Sequence, residues 1–319
     1  MSAAITPPAE AKNPSRLEAV DLARAAALVA MAIYHFTWDL EFFGWAEPGL
    51  TAEGGWKLFA RGIASTFLFL VGVSLVLSAR SAMNWQAWGI RLAQISGAAA
   101  IITVATWFAV PDAFIFFGIL HAIALFTVVG TGFVFLPWWV AAITAVGVFW
   151  IGQNVTAELF SSPWLWWAGL NPTPRSSNDY VPLFPWLSAT LAGIATTKLC
   201  LRTSLPAHLR TVALPQIAKR PAMFIARHSL ATYLIHQPVL IALIWCLTTV
   251  VGPPDQTERF VSECKRSCEV LRDGVFCQRF CGCMTDGMKA KGLFAPYLAN
   301  SLDTAGTERL MSLRDDCSN

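Results

Sequence analysis

His35 and Asp39 lie four residues apart in AIYHFTWDLEF (32–42), inside a run that is otherwise nearly all apolar. Residues i and i+4 share one face of a helix, so a carboxylate there can orient the imidazole and raise its basicity, as a general base requires. The plainer alternative is a buried polar pair that locks two helices together. His121, in FFGILHAIA, is a second histidine in an apolar run, with a satisfied interhelical hydrogen bond as its alternative. His236, in YLIHQP, precedes Pro238. The missing proline N–H frees a carbonyl one turn back, and His236 or Gln237 could help to satisfy it. Arg16, Asp21 and Arg24 open the first apolar segment, and Arg91 opens another. Such a group either anchors helix ends or grips phosphates, to which arginine is geometrically matched. Arg175, Asp179, Tyr180, Pro182 and Trp186 precede a further apolar segment at DYVPLFPW, where a proline-broken entry would keep irregular backbone over a cavity. His208 reads as a solvated loop residue.

The elements that hold these groups belong to a membrane. Of the 319 residues 55% are hydrophobic and only 13% charged, against about 25% charged in soluble domains, and the mean hydropathy is +0.52. Charged and titratable groups are costly in a bilayer and are functional candidates by default. The 14 tryptophans suit membrane–water interfaces. Residues 1–15 are polar, rich in Pro and Ala, and lack the apolar core of a cleaved signal peptide; they read as a disordered cytoplasmic lead. A crossing helix needs about 20 apolar residues, and on that rule seven spans are expected near 18–40, 59–79, 90–110, 113–133, 137–153, 181–199 and 228–251. The fold class is therefore all-α, a polytopic bundle of about seven transmembrane helices.

Orientation follows from basic residues. With the N-terminus inside, the inner segments hold eleven Lys and Arg (Lys12, Arg16, Arg24, Arg80, Arg91, Lys198, Arg202, Arg210, Lys219, Arg220, Arg227), and the outer segments before residue 254 hold three (Lys57, Arg61, Arg175). The positive-inside rule then places the N-terminus in the cytoplasm and the C-terminal tail outside. The inner loop 200–227 reads as a solvated basic loop, partly helical, with attraction for a phosphorylated ligand as the sharper alternative. Asn154-Val155-Thr156 is a glycosylation sequon, which carries no meaning in a bacterium.

From residue 253 the composition changes. Residues 255–319 contain nine Lys or Arg, ten Asp or Glu, and six of the eight cysteines. Cys264, Cys268, Cys277 and Cys281 form two C-x3-C pairs around Arg272-Asp273-Gly274. On two helices joined there, four cysteines face each other and suit Cys264–Cys281 and Cys268–Cys277 disulfides. An outer location is oxidising, so this region reads as a disulfide-stapled helical hairpin; a zinc site is the rival, disfavoured because the tail has no histidine. Six cysteines allow fifteen pairings, so spacing alone leaves the connectivity open. Cys200 and Cys246 read as small apolar residues. Three parts result: the lead 1–15, a membrane domain 16–252 and a soluble tail 253–319.

Five motifs in order carry a resemblance: R-x4-D-x2-R from Arg16 to Arg24, YHFxxD from Tyr34 to Asp39, GILHxIA around His121, DYVPLFPW from Asp179 to Trp186, and HSLxTYLIHQP from His228 to Pro238. Together they resemble the catalytic-domain family of heparan-alpha-glucosaminide N-acetyltransferase, in its small bacterial inner-membrane branch. Ala25 departs from the glycine expected after Arg24 and tightens that site. The resemblance covers about residues 15–252 and implies acetyl transfer from cytosolic acetyl-CoA to an amino or hydroxyl group of an extracytoplasmic sugar. By it, His35 is the acid/base or transient acyl carrier and Asp39 orients it, while His121 and Asp179 line the same cavity. Arg16, Arg24 and Arg91 hold the CoA phosphates, with Asp21 and His236 counted among the donor-site residues. Trp38, Asp179, Tyr180 and Trp186 are the acceptor-site candidates. No metal and no nucleic acid is expected, the bilayer is a partner, and a homodimer is compatible. Two other function classes compete: a proton-coupled transporter, since membrane His and Asp also serve proton relays, and a scaffold whose tail docks a periplasmic partner.

Overall fold

The structure, a computed structural model, describes residues 18–203, 216–252, 256–298 and 301–318. Arg16, His208 and the 1–15 lead lie outside the described residues. Everything described is helix or connecting segment, with no strand among the described residues, and the fold is all-α. Helices α1 (Glu18–Phe42), α2 (Gly54–Ser78), α3 (Trp85–Ala109), α4 (Ile119–Val134), α5 (Trp138–Asn154) and α6 (Leu183–Cys200) precede α7 (Gln216–Arg227) and α8 (Ser229–Val251). The tail adds α9 (Gln256–Glu269), α10 (Gly274–Ala290), α11 (Phe294–Leu298) and α12 (Thr304–Ser318).

A helix occurs at each of the seven expected places, but among the described residues only α1, α2, α3 and α8 are long and apolar enough to cross a membrane. The difference lies where proline and extended backbone replace helix. Helix α4 has 16 residues and α5 has 17, about 24 to 26 Å of rise against a hydrocarbon layer of about 30 Å. The fourth span was expected from residue 113, yet residues 114–118 run outside the helix. There Phe117 forms a parallel bridge with Tyr180, Val181 N–H donates to the Phe117 carbonyl at 3.0 Å, and Asn178 N–H donates to that of Ala113 at 3.0 Å. In α6, Phe184 has non-helical φ/ψ of −95° and 126° just before Pro185, the position that a following proline pushes toward extended backbone.

Two compact units divide the chain, one holding residues up to Met31 together with Phe59–Ile235, the other Ala32–Leu58 together with His236 onward. The first is built on a close crossing of α2 and α6. A Cβ on Gly72 would stand 2.1 Å from the Thr190 carbonyl oxygen, and one on Gly193 would stand 2.2 Å from that of Phe69. Small residues let helix backbones meet in this way in membranes, and Thr190 Oγ1 donates to the Leu68 carbonyl at 3.0 Å. Around the crossing, Leu68, Phe126, Leu191 and Ile194 are fully buried.

In the second unit, α9 and α10 form the expected hairpin. Cys264–Cys281 and Cys268–Cys277 are disulfides with Cα atoms 5.8 and 5.6 Å apart. A third disulfide, Cys283–Cys317, ties α10 to α12. The staples surround a small core of Met284, Met288, Leu293 and Leu313. Asp273 opens α10 by accepting the Phe276 N–H at 2.9 Å, an N-cap that satisfies one orphan donor of the first turn. That bond holds the Asp273 carboxyl below its ordinary range.

Candidate active site and arginine-lined cavity

Helix α1 offers His35 and Asp39 on one face, as their spacing requires, and the connection between them runs through a third residue. His35 Nδ1 is 2.6 Å from Gln237 Oε1, and the Gln237 amide nitrogen donates to Asp39 Oδ1 at 2.7 Å. His236, grouped with the donor-site residues on sequence, brings Nε2 within 2.9 Å of the same His35 Nδ1. The two rings are 4.9 Å apart and tilted by 31°. Gln237 and His236 come from α8, whose sequence HQP sets the amide and imidazole on adjacent positions. Asp39 is fully buried, and its Oδ2 has no hydrogen-bond partner among the described residues. An unsatisfied buried acceptor costs about 1–3 kcal/mol, an expense more typical of a working site than of a packing contact.

The segment after α1 is organised around Glu41. Its carboxylate accepts from Gly49 N–H, from Thr51 N–H at 3.0 Å and from Thr51 Oγ1 at 2.7 Å. Trp45 Nε1 donates to Thr248 Oγ1 at 2.9 Å. Trp38 stacks on Phe42 with ring centres 5.3 Å apart. From the tail, Arg259 and Arg266 donate to the carbonyls of Phe42 and Pro48. Gly49 has a φ of +79°, and a side chain there would meet the Arg266 guanidinium.

The first unit contains a cavity of about 710 Å³ whose polar lining includes Arg24, Ser74, Asn84, Arg91, Arg227 and His228. Arg24 donates to Asp21 at 3.1 Å and to Ser74 Oγ at 2.9 Å, so two neighbours aim its guanidinium. The sequence singles out Arg24 and Arg91 but not Arg227, which falls in the basic loop 200–227, nor His228, which opens the last expected span without an assigned role. The available signal was the run RHS joining that loop directly to α8.

His121 is satisfied at both ring nitrogens. The Thr103 hydroxyl donates to the Ile115 carbonyl at 2.8 Å and therefore accepts from His121 Nε2 at 3.1 Å. Gly118 N–H donates to His121 Nδ1 at 3.2 Å. Asp179 serves the same helix start, accepting the Ile119 N–H at 2.8 Å. Burial raises its carboxyl to about 6, against the lowering effect of that bond. Gly118 allows this approach, since a Cβ there would stand 2.3 Å from Asp179 Oδ2. Tyr180 donates to the Trp166 carbonyl at 2.7 Å, and Trp186 packs on the main core. Among the described residues no group of three or more His, Cys, Asp or Glu could hold a metal ion.

Membrane-length helices, the His35–Gln237–Asp39 chain with His236 beside it, and an arginine-lined cavity in the first unit mark a helical membrane protein. Residues 16–238 match the family described as heparan-alpha-glucosaminide N-acetyltransferase, catalytic. The chain belongs to that family and so, in general terms, to the transmembrane acetyltransferases. A search of curated proteins and a search of solved structures each return no match.

Proposed function

We propose that the protein moves an acetyl group from cytosolic acetyl-CoA to an amino or hydroxyl group of an extracytoplasmic sugar or glycan, across a bacterial inner membrane. The observation that carries this reading is the His35 cluster. An imidazole in an apolar helix is tied to a buried carboxylate through an amide, an arrangement that prepares one ring nitrogen for acid–base or nucleophilic work. In this reading His35 takes the acetyl group or the acceptor's proton, and Asp39 orients it. The cavity in the first unit supplies guanidinium groups suited to the CoA phosphates, with Arg24 steadied by Asp21 and Ser74. Arg24 and His35 are carried by the same helix.

The cytoplasmic side is assigned to the arginine cavity by the excess of basic residues in the segments beside it. Three disulfides in the tail suit the opposite, oxidising side. His121, with both nitrogens occupied, is given the role of fixing the start of α4 in this reading.

The test is acetyl transfer by the purified full chain in lipid nanodiscs, with radiolabelled acetyl-CoA and a panel of amino sugars and glycans. Wild-type protein should release free CoA and an acetylated acceptor. His35→Ala should slow this by roughly 100-fold or more, the scale of a lost acid–base or nucleophilic group. Equal rates for wild type and His35→Ala would refute the reading.

A further inference from the structure

The amide between His35 and Asp39 settles which nitrogen of His35 is reactive. With Asp39 ionised, its carboxylate only accepts hydrogen bonds, which turns the Gln237 NH₂ toward Asp39 across the 2.7 Å contact. The amide oxygen is thereby turned to His35, and an amide oxygen also only accepts. The proton must then sit on His35 Nδ1, 2.6 Å away. With an ionised Asp39 this order follows from donor and acceptor chemistry at three atoms. His236 Nε2, 2.9 Å from the same Nδ1, faces that N–H with its lone pair. The lone pair of the His35 ring is left on Nε2.

We infer that Gln237 is the positioning residue of His35, holding it in the Nδ1–H tautomer with Nε2 as the reactive nitrogen, and that His236 is the reserve acceptor for the Nδ1 proton. What Nε2 does rests on the acetyl-transfer reading; the tautomer does not. In that transfer Nε2 attacks the thioester carbonyl carbon, an N–C bond forms, the C–S bond breaks, and CoA leaves as thiolate. The ring becomes positively charged. Its Nδ1–H bond then breaks as an N–H bond forms at His236 Nε2, leaving a neutral acetyl-imidazole beside an imidazolium. When the acceptor amine or hydroxyl takes the acetyl group, the N–C bond breaks and the proton returns from His236 to Nδ1. The proton lost by the acceptor ends on the thiolate. Gln237 touches none of the reacting atoms; it acts through the ring.

The tautomer is read by nitrogen NMR of the full chain, histidine-labelled with ¹⁵N, in nanodiscs without any substrate, His35 being assigned by its absence from His35→Gln. Wild type should show His35 as the Nδ1–H form. Asp39→Asn, which does not touch the ring, should release the preference, because asparagine offers either a donor or an acceptor and lets the Gln237 amide turn over. Gln237→Leu should release it as well. Gln237→Glu, whose carboxylate still accepts from Nδ1–H, should keep it, and serves if the leucine variant fails to fold. In the transfer assay Gln237→Leu should lower kcat by about 10- to 100-fold with KM for acetyl-CoA unchanged, and Gln237→Glu should recover part of the loss. An Nε2–H tautomer in wild type, or an unaltered tautomer in both Asp39→Asn and Gln237→Leu, overturns the inference. Should the tautomer results hold while wild type transfers no acetyl group, the acetyl-transfer reading falls and the positioning role stands.

Discussion

Replacing Gly72 by alanine adds one methyl group at the closest helix contact in the first unit. The new Cβ would meet the Thr190 carbonyl oxygen at 2.1 Å and the Ile194 nitrogen at 2.9 Å. Ordinary contact begins near 3.4 Å, so α2 and α6 would have to separate by about 1 Å, and neither obstructing atom belongs to a flexible side chain. Overpacking costs typically 1–3 kcal/mol, and the upper half of that range applies because the backbone itself must move. Parting the helices also stretches the Thr190–Leu68 hydrogen bond. Gly193→Ala makes the same demand at the same crossing, against Phe69. Once one substitution has opened the crossing, the second should cost less, so the double variant should fall short of additivity. Gly97→Ala in α3, where a Cβ meets nothing within 4 Å, should instead stabilise by up to about 1 kcal/mol through helix propensity. Thermal unfolding in nanodiscs, followed by tryptophan fluorescence, compares the four variants with wild type. A Gly72→Ala melting temperature at or above that of wild type refutes the close-crossing argument, as would Gly97→Ala and Gly72→Ala shifting together. Ser74 lies two residues beyond Gly72 and holds Arg24, so on the proposed reading, in which the cavity takes acetyl-CoA, Gly72→Ala should also raise KM for acetyl-CoA.

Non-reducing alkylation followed by mass spectrometry should label two of the eight cysteines, Cys200 and Cys246, and all eight after reduction; labelling of Cys283 or Cys317 before reduction contradicts the third disulfide. Asp179 has its carboxyl raised to about 6 by burial, so its contribution to stability is full below about pH 4 and is lost as pH rises through about 6. Asp179→Asn should flatten that part of the melting-temperature profile, and an unchanged slope between pH 4 and 7 counts against it. His121→Ala removes the acceptor for Gly118 N–H and the donor to Thr103. It should lower stability by about 1–3 kcal/mol while the folded fraction keeps its turnover; folded but inactive protein would assign His121 to the chemistry instead.

What the sequence made legible was mostly local. His35 and Asp39 share a face because they are one turn apart, and the inner and outer cysteine pairs close because i and i+4 align across a hairpin. The third disulfide joins residues 34 apart, with no periodicity to point to it. Gln237 is legible only as a partner for the carbonyl freed by Pro238; its tie to His35 is not, because the two are 202 residues apart and an amide carries no charge to stand out in an apolar span. Proline signals marked where the connections fall, but the fourth span was read six residues too long. Nothing in PDAFIFFG announces that it runs outside the helix and bridges to Tyr180. Arg227 was misread through composition, since a basic loop looks the same whether it faces solvent or a cavity.

The ties of His35 to His236 and Gln237, and those of Phe42 and Pro48 to Arg259 and Arg266, span between 201 and 218 residues. A ribosome that has delivered the first 235 residues has therefore made His35 without any of its α8 partners. Contacts of such separation must pay loop-closure entropy before they return anything. The first helix is made early, and its carboxylate and imidazole wait for α8 to supply their partners. On the proposed reading, a nascent or truncated product that lacks α8 should be incapable of misdirected acetyl transfer however much of the bundle it has already built.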